Sequence, residues 1–353
     1  MTKEITHIGY SGVGIHADRH IVPQLDDPRA AITALYDPQG IPPRFTELLP
    51  QARCFTEKEA DQTEGWQSFL GGPDLDAVYI AAPDECHTSR LHDVLAAGKH
   101  ALVEGPLATT WEDFERLQAT MAATPDDLVI STCHPRRFDQ PFVNTKYALD
   151  HRPMMAGLFG LPPATDFGPV RGLSIRLNYP KPLKTDQQAS FAFDRLAHEI
   201  DTASYFFGLE GLSHAINVVN DQAAFEVRAT REDGVWLNFQ GNRNHEGRTG
   251  REDWRVYFDE GVQLAVDAAV GSMALTQYQR PIGIGPLYNL ELFKTSHDRR
   301  FALLNRRFVS AVRGEKAPYI TRQEMLMNTA VALAAQEVDR PVSISAEGQV
   351  RQL

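Results

Sequence analysis

The strongest constraint on this chain lies at its start. A strand-like run, Ile5 to Tyr10, ends in the glycine-rich turn Gly9-Tyr10-Ser11-Gly12-Val13-Gly14 and leads into an amphipathic stretch reaching about Leu25. The alternation then repeats. Ala30 to Tyr36 reads as a strand stopped by Asp37-Pro38, and Asp76 to Ala82 as a mostly apolar strand covered on both faces. Thr88 to Ala97 reads as a helix stopped by Gly98, His100 to Val103 as a strand, Trp111 to Ala123 as a helix and Leu128 to Thr132 as a strand. Strands separated by helices make βαβ units and a mainly parallel sheet.

The pattern changes after His134. Phe138 to Leu149 is helical in pattern, and Gly157 to Pro169 is a Gly- and Pro-rich loop. Val170 to Tyr179 alternates like a half-buried strand, and Phe191 to Phe207 forms a long amphipathic helix ended by Gly208. From Leu212 to about Ala274 alternating segments follow, among them Val235 to Phe239, Trp254 to Phe258 and Val262 to Val266, as in an antiparallel sheet with one exposed face. Two helices, about Arg299 to Val312 and Arg322 to Val338, close the chain. The expected fold is α/β: a dinucleotide-binding Rossmann domain over residues 1–134, then an α+β domain over 135–353 with a largely antiparallel open sheet.

Composition narrows the function classes. The formal net charge of −11 disfavours binding to nucleic-acid phosphates. The apolar runs are far shorter than a membrane span, and the first residues have no secretory apolar segment. Cys54, Cys86 and Cys133 are odd in number, widely spaced and outside any CxxC pattern, which fits a reducing cytoplasmic setting. The spacing of potential ligands gives no metal signature.

In the opening turn Gly9 and Gly14 match the first and third glycines of GxGxxG, Ser11 stands at the second, and Gly12 adds freedom to the turn. Such a turn lets backbone approach a pyrophosphate and aims the helix N-terminus at it. Asp37 ends the second strand about 23 residues after Gly14, where a carboxylate accepts ribose hydroxyls and repels a 2′-phosphate, which favours NAD over NADP.

The stretch Asp76-Ala77-Val78-Tyr79-Ile80-Ala81-Ala82-Pro83-Asp84-Glu85-Cys86-His87 is followed by Ala97-Gly98-Lys99-His100-Ala101-Leu102-Val103-Glu104-Gly105-Pro106-Leu107-Ala108. Together they resemble the glucose–fructose oxidoreductase/inositol dehydrogenase (Gfo/Idh/MocA) family, whose members read D-a-V-x-I-a-t-P-x-x-x-H and A-G-K-H-V-x-x-E-K-P-l-A. Arg136-Arg137-Phe138, the helix segment Asp194-Arg195-Leu196-Ala197-His198-Glu199-Ile200-Asp201, and Asp339-Arg340-Pro341-Val342-Ser343-Ile344 extend the likeness. The resemblance implies hydride transfer between a hydroxyl-bearing carbon of a sugar, polyol or related cyclic compound and a nicotinamide. It implies that Pro83, His87, Glu104, Gly105 and Pro106 lie at the cofactor, where the Gly105–Pro106 peptide is either cis, as is common in the family, or an ordinary trans turn. It also implies His198 as acid/base with Asp194 as its partner, four residues apart on one helix face. Arg137, Tyr179 and Lys184 join Asp194 and His198 as expected substrate contacts. The resemblance further implies that residues 135–353 bind the substrate and form a homo-oligomer, dimer or tetramer, by sheet packing.

One departure stands out. Gly105 replaces the lysine of the family's E-K-P motif, so the ammonium that polarises the hydroxyl is missing. His198 acting alone, or a side chain such as Tyr179, Lys181 or Lys184, would then carry the chemistry. The same gap leaves open a glycosidase or lyase using transient oxidation and elimination, and a non-catalytic dinucleotide-binding regulator. Weaker candidates are the basic run His134-Pro135-Arg136-Arg137, the polar loop Asn242, Arg243, His245 and Arg248, and the aromatic residues Tyr278 and Tyr288.

Overall fold

The computed structural model describes residues 5–57, 64–162, 165–178, 191–220, 224–242, 251–267, 272–277, 280–284, 290–337 and 340–353. It divides into two units: residues 1–135 with 298–326, and residues 136–297 with 327–353.

The first unit is built from β1 (Thr6–Ser11), α1 (Ile15–Gln24), β2 (Ala30–Tyr36), α2 (Pro43–Leu48), β3 (Arg53–Phe55), α3 (Glu64–Leu70), β4 (Ala77–Ile80), α4 (His87–Ala96), β5 (His100–Val103), α5 (Trp111–Ala123) and β6 (Ile130–Thr132). The six strands form one sheet in the order β3-β2-β1-β4-β5-β6, and every pairing is parallel. All four residues of β4 and all three of β6 are buried, as a sheet covered on both faces requires. The Thr110 hydroxyl caps α5 by accepting from the Asp113 amide at 3.1 Å. The helices α2 and α3 and the edge strand β3 fall in a stretch where the hydropathy pattern gave no assignment.

The second unit opens with α6 (Gln140–Asp150) and α7 (Arg152–Leu158), the latter partly inside the stretch expected as loop. It continues with β7 (Val170–Asn178), α8 (Phe191–Phe207), β8 (Leu212–Asn220), β9 (Ala224–Arg231), β10 (Trp236–Asn242), β11 (Arg251–Phe258), β12 (Val262–Asp267), β13 (Ser272–Gln277) and β14 (Arg280–Ile284). After α9 (Leu290–Val312) and α10 (Arg322–Ala334), β15 (Val342–Ile344) and β16 (Val350–Gln352) complete a ten-stranded sheet ordered β14-β13-β12-β11-β7-β10-β9-β8-β15-β16. β7 and β10 pair in parallel, whereas the other described pairings are antiparallel. One face is apolar, with Leu173, Ile175, Leu237, Phe239, Trp254, Val256, Leu264 and Val266 buried. On that side Trp254 packs edge-on against Phe142, with centroids 5.0 Å apart. The intervening residues, such as Arg176, Arg228 and Arg255, are exposed.

The sequence pattern assigned everything after residue 134 to one domain, but residues 298–326 belong to the first unit. Polar and aromatic contacts hold them there. Asn305 hydrogen-bonds His20 on α1, Phe301 meets the His20 ring edge-on at 4.7 Å, and Arg29 donates to Ser310 and Glu315. Arg322 donates to the carbonyls of Thr124, Pro125 and Leu128, satisfying acceptors just beyond the C-terminus of α5.

Candidate functional site

In the first unit the glycine turn is clamped between neighbouring strand ends. The Gly12 amide donates to the Tyr36 carbonyl at 2.9 Å, and the Ala81 amide donates to the Ser11 carbonyl at 2.8 Å. Gly12 has φ +88°, and a Cβ there would stand 2.5 Å from the Ala81 carbonyl oxygen, so both conformation and space demand glycine. Gly14 precedes α1 in extended conformation without a side-chain cap, and a Cβ on it would meet nothing within 4 Å. The hydroxyl of Ser11 is buried and has no hydrogen-bond partner among the described residues. An uncapped helix N-terminus opening onto free space beside an unused hydroxyl fits a pyrophosphate.

Asp37 stands at this turn. Its Oδ2 accepts from the Val13 amide at 3.0 Å and its Oδ1 from the Gln39 amide at 2.9 Å. Each oxygen keeps a further lone pair for a ligand hydroxyl. Gly9 has a different job from the one expected. It lies within β1, and a Cβ there would sit 2.7–2.9 Å from the side chains of Phe69 and Leu75, so this glycine admits core packing and is not part of the phosphate turn.

The second motif shapes a loop beside the sheet. The Gly105–Pro106 peptide is cis. Pro83 is exposed ahead of a short helical turn, Asp84–Cys86. His87 is fully buried, with Nδ1 2.6 Å from the Pro106 carbonyl and Nε2 2.9 Å from the Ala82 carbonyl. Its ring ties the two motif segments together, a positioning role in place of the direct cofactor contact expected of it. A Cβ on Gly105 would have its nearest neighbours, His134 Cε1 and Thr132 Cγ2, at 3.7 Å. That is ordinary van der Waals contact, so the backbone has room for a Cβ at the family's lysine position.

The Glu104 carboxylate joins a buried polar cluster. Its Oε1 lies 3.1 Å from His20 Nε2 and accepts from the Tyr79 hydroxyl at 3.2 Å. The Tyr79 hydroxyl is 2.7 Å from His20 Nε2, and Cys133 Sγ is 3.5 Å from the same nitrogen. Burial holds the Tyr79 phenol well above its ordinary pKa, with the neighbouring Cys133 adding to the effect. Burial, then the Glu104 charge, does the same for the Cys133 thiol. The positions 20, 79, 104 and 133 carry no spacing signal, so sequence reading had no means of grouping them.

In the second unit, α8 buries Leu196, Ile200, Ala203 and Phe206 along one stripe. His198 on this helix is half-buried. Tyr179 and Lys184 lie outside the described residues, as do Lys181, Arg243, His245, Arg248, Tyr278, Tyr288, Asp339 and the side chain of Asp194. Asn242 is described, exposed at the end of β10.

Arg137, expected at the substrate, is buried on Asp201 instead. Its Nε donates to both carboxylate oxygens at 3.1 and 3.0 Å and its terminal nitrogen to Oδ1 at 2.8 Å. Asn328 Nδ2 also donates to Oδ1, at 3.0 Å. Arg136 bridges Glu199 at 2.8 Å and Glu252 at 2.9 Å and lies over the Trp254 ring. Burial pushes the Glu199 carboxyl up to about 7, against the opposing pull of Arg136. The Arg-Arg pair is thus spent on internal carboxylates.

Comparison with known proteins agrees with this architecture. Residues 6–131 match the Gfo/Idh/MocA family, described as an oxidoreductase family with an NAD-binding Rossmann fold. It is 25% identical over 311 residues to a 1,5-anhydro-D-fructose reductase of Ensifer adhaerens, covering 81% of this chain and 82% of that protein. It is 29% identical over 135 residues to a 1-carboxy-3-chloro-3,4-dihydroxycyclohexa-1,5-diene dehydrogenase of Comamonas testosteroni, a match spanning only 38% of this chain and 32% of that protein. Among solved structures, levoglucosan dehydrogenase in complex with NADH and levoglucosan superposes with TM-score 0.73 at 15% identity, covering 98% of this chain and 99% of that one. Among the described residues no helix is long and apolar enough to cross a membrane.

Proposed function

We propose that this protein is an NAD-dependent dehydrogenase or reductase acting on a secondary alcohol, or the matching ketone, of a sugar, polyol or related cyclic compound. The observation that carries the reading is the uncapped N-terminus of α1 opening above the Gly12 turn, with Asp37 at the end of β2. The turn and the helix N-terminus hold the pyrophosphate, and the Asp37 carboxylate accepts ribose hydroxyls and disfavours a 2′-phosphate. When bound, the nicotinamide accepts or donates the hydride. His198 takes the hydroxyl proton in oxidation or returns it in reduction, oriented by Asp194. Tyr179 and Lys184 are the proposed substrate contacts beside them. This assignment of roles on α8 rests on the family resemblance. Arg137 is withdrawn from the substrate set because its guanidinium is engaged with Asp201.

The substrate class is supported by relatives named for anhydrosugar, cyclic diol and levoglucosan chemistry. Calorimetry with NAD and NADP, followed by a spectrophotometric screen for NADH formation over polyols, cyclitols and anhydrosugars, tests the proposal. The expected result is tighter binding of NAD and sustained NADH production with one substrate group. Absence of binding to either coenzyme overturns it. Substrate cleavage without net NADH redirects it to transient oxidation and elimination. A homo-oligomer is part of the same reading, and a monomeric mass by light scattering contradicts it.

A further inference from the structure

We propose that His20, Glu104 and Cys133 form a binding site for one divalent transition-metal ion, zinc being the best match, inside the first unit. The three residues come from α1, the end of β5 and the residue after β6, and their nitrogen, oxygen and sulfur atoms all lie within 4.8 Å of one another. The His20 Nε2 to Cys133 Sγ separation is 3.5 Å and that from Nε2 to Glu104 Oε1 is 3.1 Å. A tetrahedral ion at ordinary Zn–N, Zn–O and Zn–S lengths needs edges of about 3.3–3.6 Å between such atoms. The site therefore requires adjustments of a few tenths of an ångström on these two edges, and the third edge, from Cys133 to Glu104, lies within 4.8 Å. The Tyr79 hydroxyl, 2.7 Å from Nε2 and 3.2 Å from Glu104 Oε1, borders the same space and stands where a fourth ligand belongs.

The surroundings prepare His20 for this role. The Asn305 side chain donates from Nδ2 to the His20 carbonyl at 3.0 Å, which leaves its Oδ1 as the acceptor 3.0 Å from His20 Nδ1. The ring proton accordingly sits on Nδ1, and the Nε2 lone pair faces Glu104, Cys133 and Tyr79. An acceptor fixing the distal ring nitrogen is the usual outer partner of a metal-bound histidine. The Tyr79 ring lies 4.3 Å from the imidazole and Phe301 4.7 Å, so apolar surface walls the site. Charge also balances. A neutral imidazole, a carboxylate and a thiolate neutralise a dication, which makes its burial affordable. On binding, the Cys133 S–H bond breaks, its proton passes to solvent, and a sulfur–metal bond forms without any change of oxidation state. The Glu104 side chain, 14% exposed, marks the side from which an ion enters.

Because Glu104 directly precedes Gly105–Pro106, a bound ion would fix that loop from beneath. The inference stands apart from the dinucleotide reading and is tested without coenzyme. Full-length protein stripped with a chelator is titrated with Co²⁺ and then with Zn²⁺. The expected result is one Co²⁺ per chain, visible bands of a four-coordinate ion, a thiolate-to-cobalt charge-transfer band, and displacement by one equivalent of Zn²⁺. Cys133→Ser should abolish the charge-transfer band. Asn305→Ala keeps all three ligands and should weaken binding by about 10–100-fold. Absence of stoichiometric binding by the folded wild-type protein, or a cobalt spectrum without a thiolate band, overturns the site and leaves a hydrogen-bonded cluster only. If Cys133→Ser does not fold, the wild-type spectrum and the Asn305→Ala affinity decide the matter.

Discussion

Replacing Arg137 by methionine separates a structural role from a substrate role for the second arginine of the Arg136-Arg137 pair. In the wild type the guanidinium makes three contacts of 2.8–3.1 Å with Asp201, whose carboxylate is fully buried. Methionine keeps much of the side-chain length and removes the charge, leaving a buried carboxylate without its counter-ion. Breaking one side of such a pair costs about 3–5 kcal/mol. For a unit of this size each kcal/mol moves the unfolding midpoint by about 2–4 °C, so a drop of about 6–20 °C is expected. The double variant Arg137→Met/Asp201→Leu should recover most of the loss, because replacing both charges by apolar groups removes the uncompensated one. Urea unfolding with intrinsic fluorescence, thermal melts and steady-state kinetics on the same preparations make the test. A stability loss below about 1 kcal/mol combined with a large rise in KM would refute the structural assignment and return Arg137 to the substrate.

Three further outcomes follow from the geometry. Gly12→Ala forces a side chain at φ +88° against the Ala81 carbonyl, costs about 1–2 kcal/mol from conformation alone, and should weaken NAD binding at least tenfold by calorimetry. In Gly105→Lys the added Cβ meets nothing closer than 3.7 Å, and the variant should fold with an unchanged melting temperature. If the missing ammonium limits the rate, kcat rises by up to about 10²-fold in stopped-flow assays, and an unchanged or lower kcat rejects that cause. Because the Glu199 carboxyl is raised to about 7 in the fold, its protonated form favours the folded state. This contribution is complete below the ordinary carboxylate range and is lost as pH rises through about 7, amounting to at most about 3 kcal/mol. Urea midpoints measured from pH 5 to 8 should therefore fall with pH in the wild type and fall less in Glu199→Gln, and equal slopes would exclude Glu199 as the source.

The sequence by itself determined the parallel sheet, the place of the glycine turn and the helix Phe191–Phe207. Each is encoded locally, by apolar runs of strand length, by residues allowed at a tight turn, and by a repeat of 3.6 residues. The short elements between Pro38 and Leu75 were illegible because none is long enough to display a period. Roles within a motif were equally hidden. Gly9 and Gly12 look alike in the sequence, yet one clears space for Phe69 and the other adopts a backbone conformation closed to other residues. Arg137 and Asp201 are separated by 63 intervening residues, so only the packing of α8 reveals that their charges cancel each other. The return of residues 298–326 to the first unit, and the meeting of His20, Glu104 and Cys133, were likewise decided by tertiary structure alone. A chain's local preferences fix what each segment becomes, whereas contacts between distant segments depend on which faces are buried together.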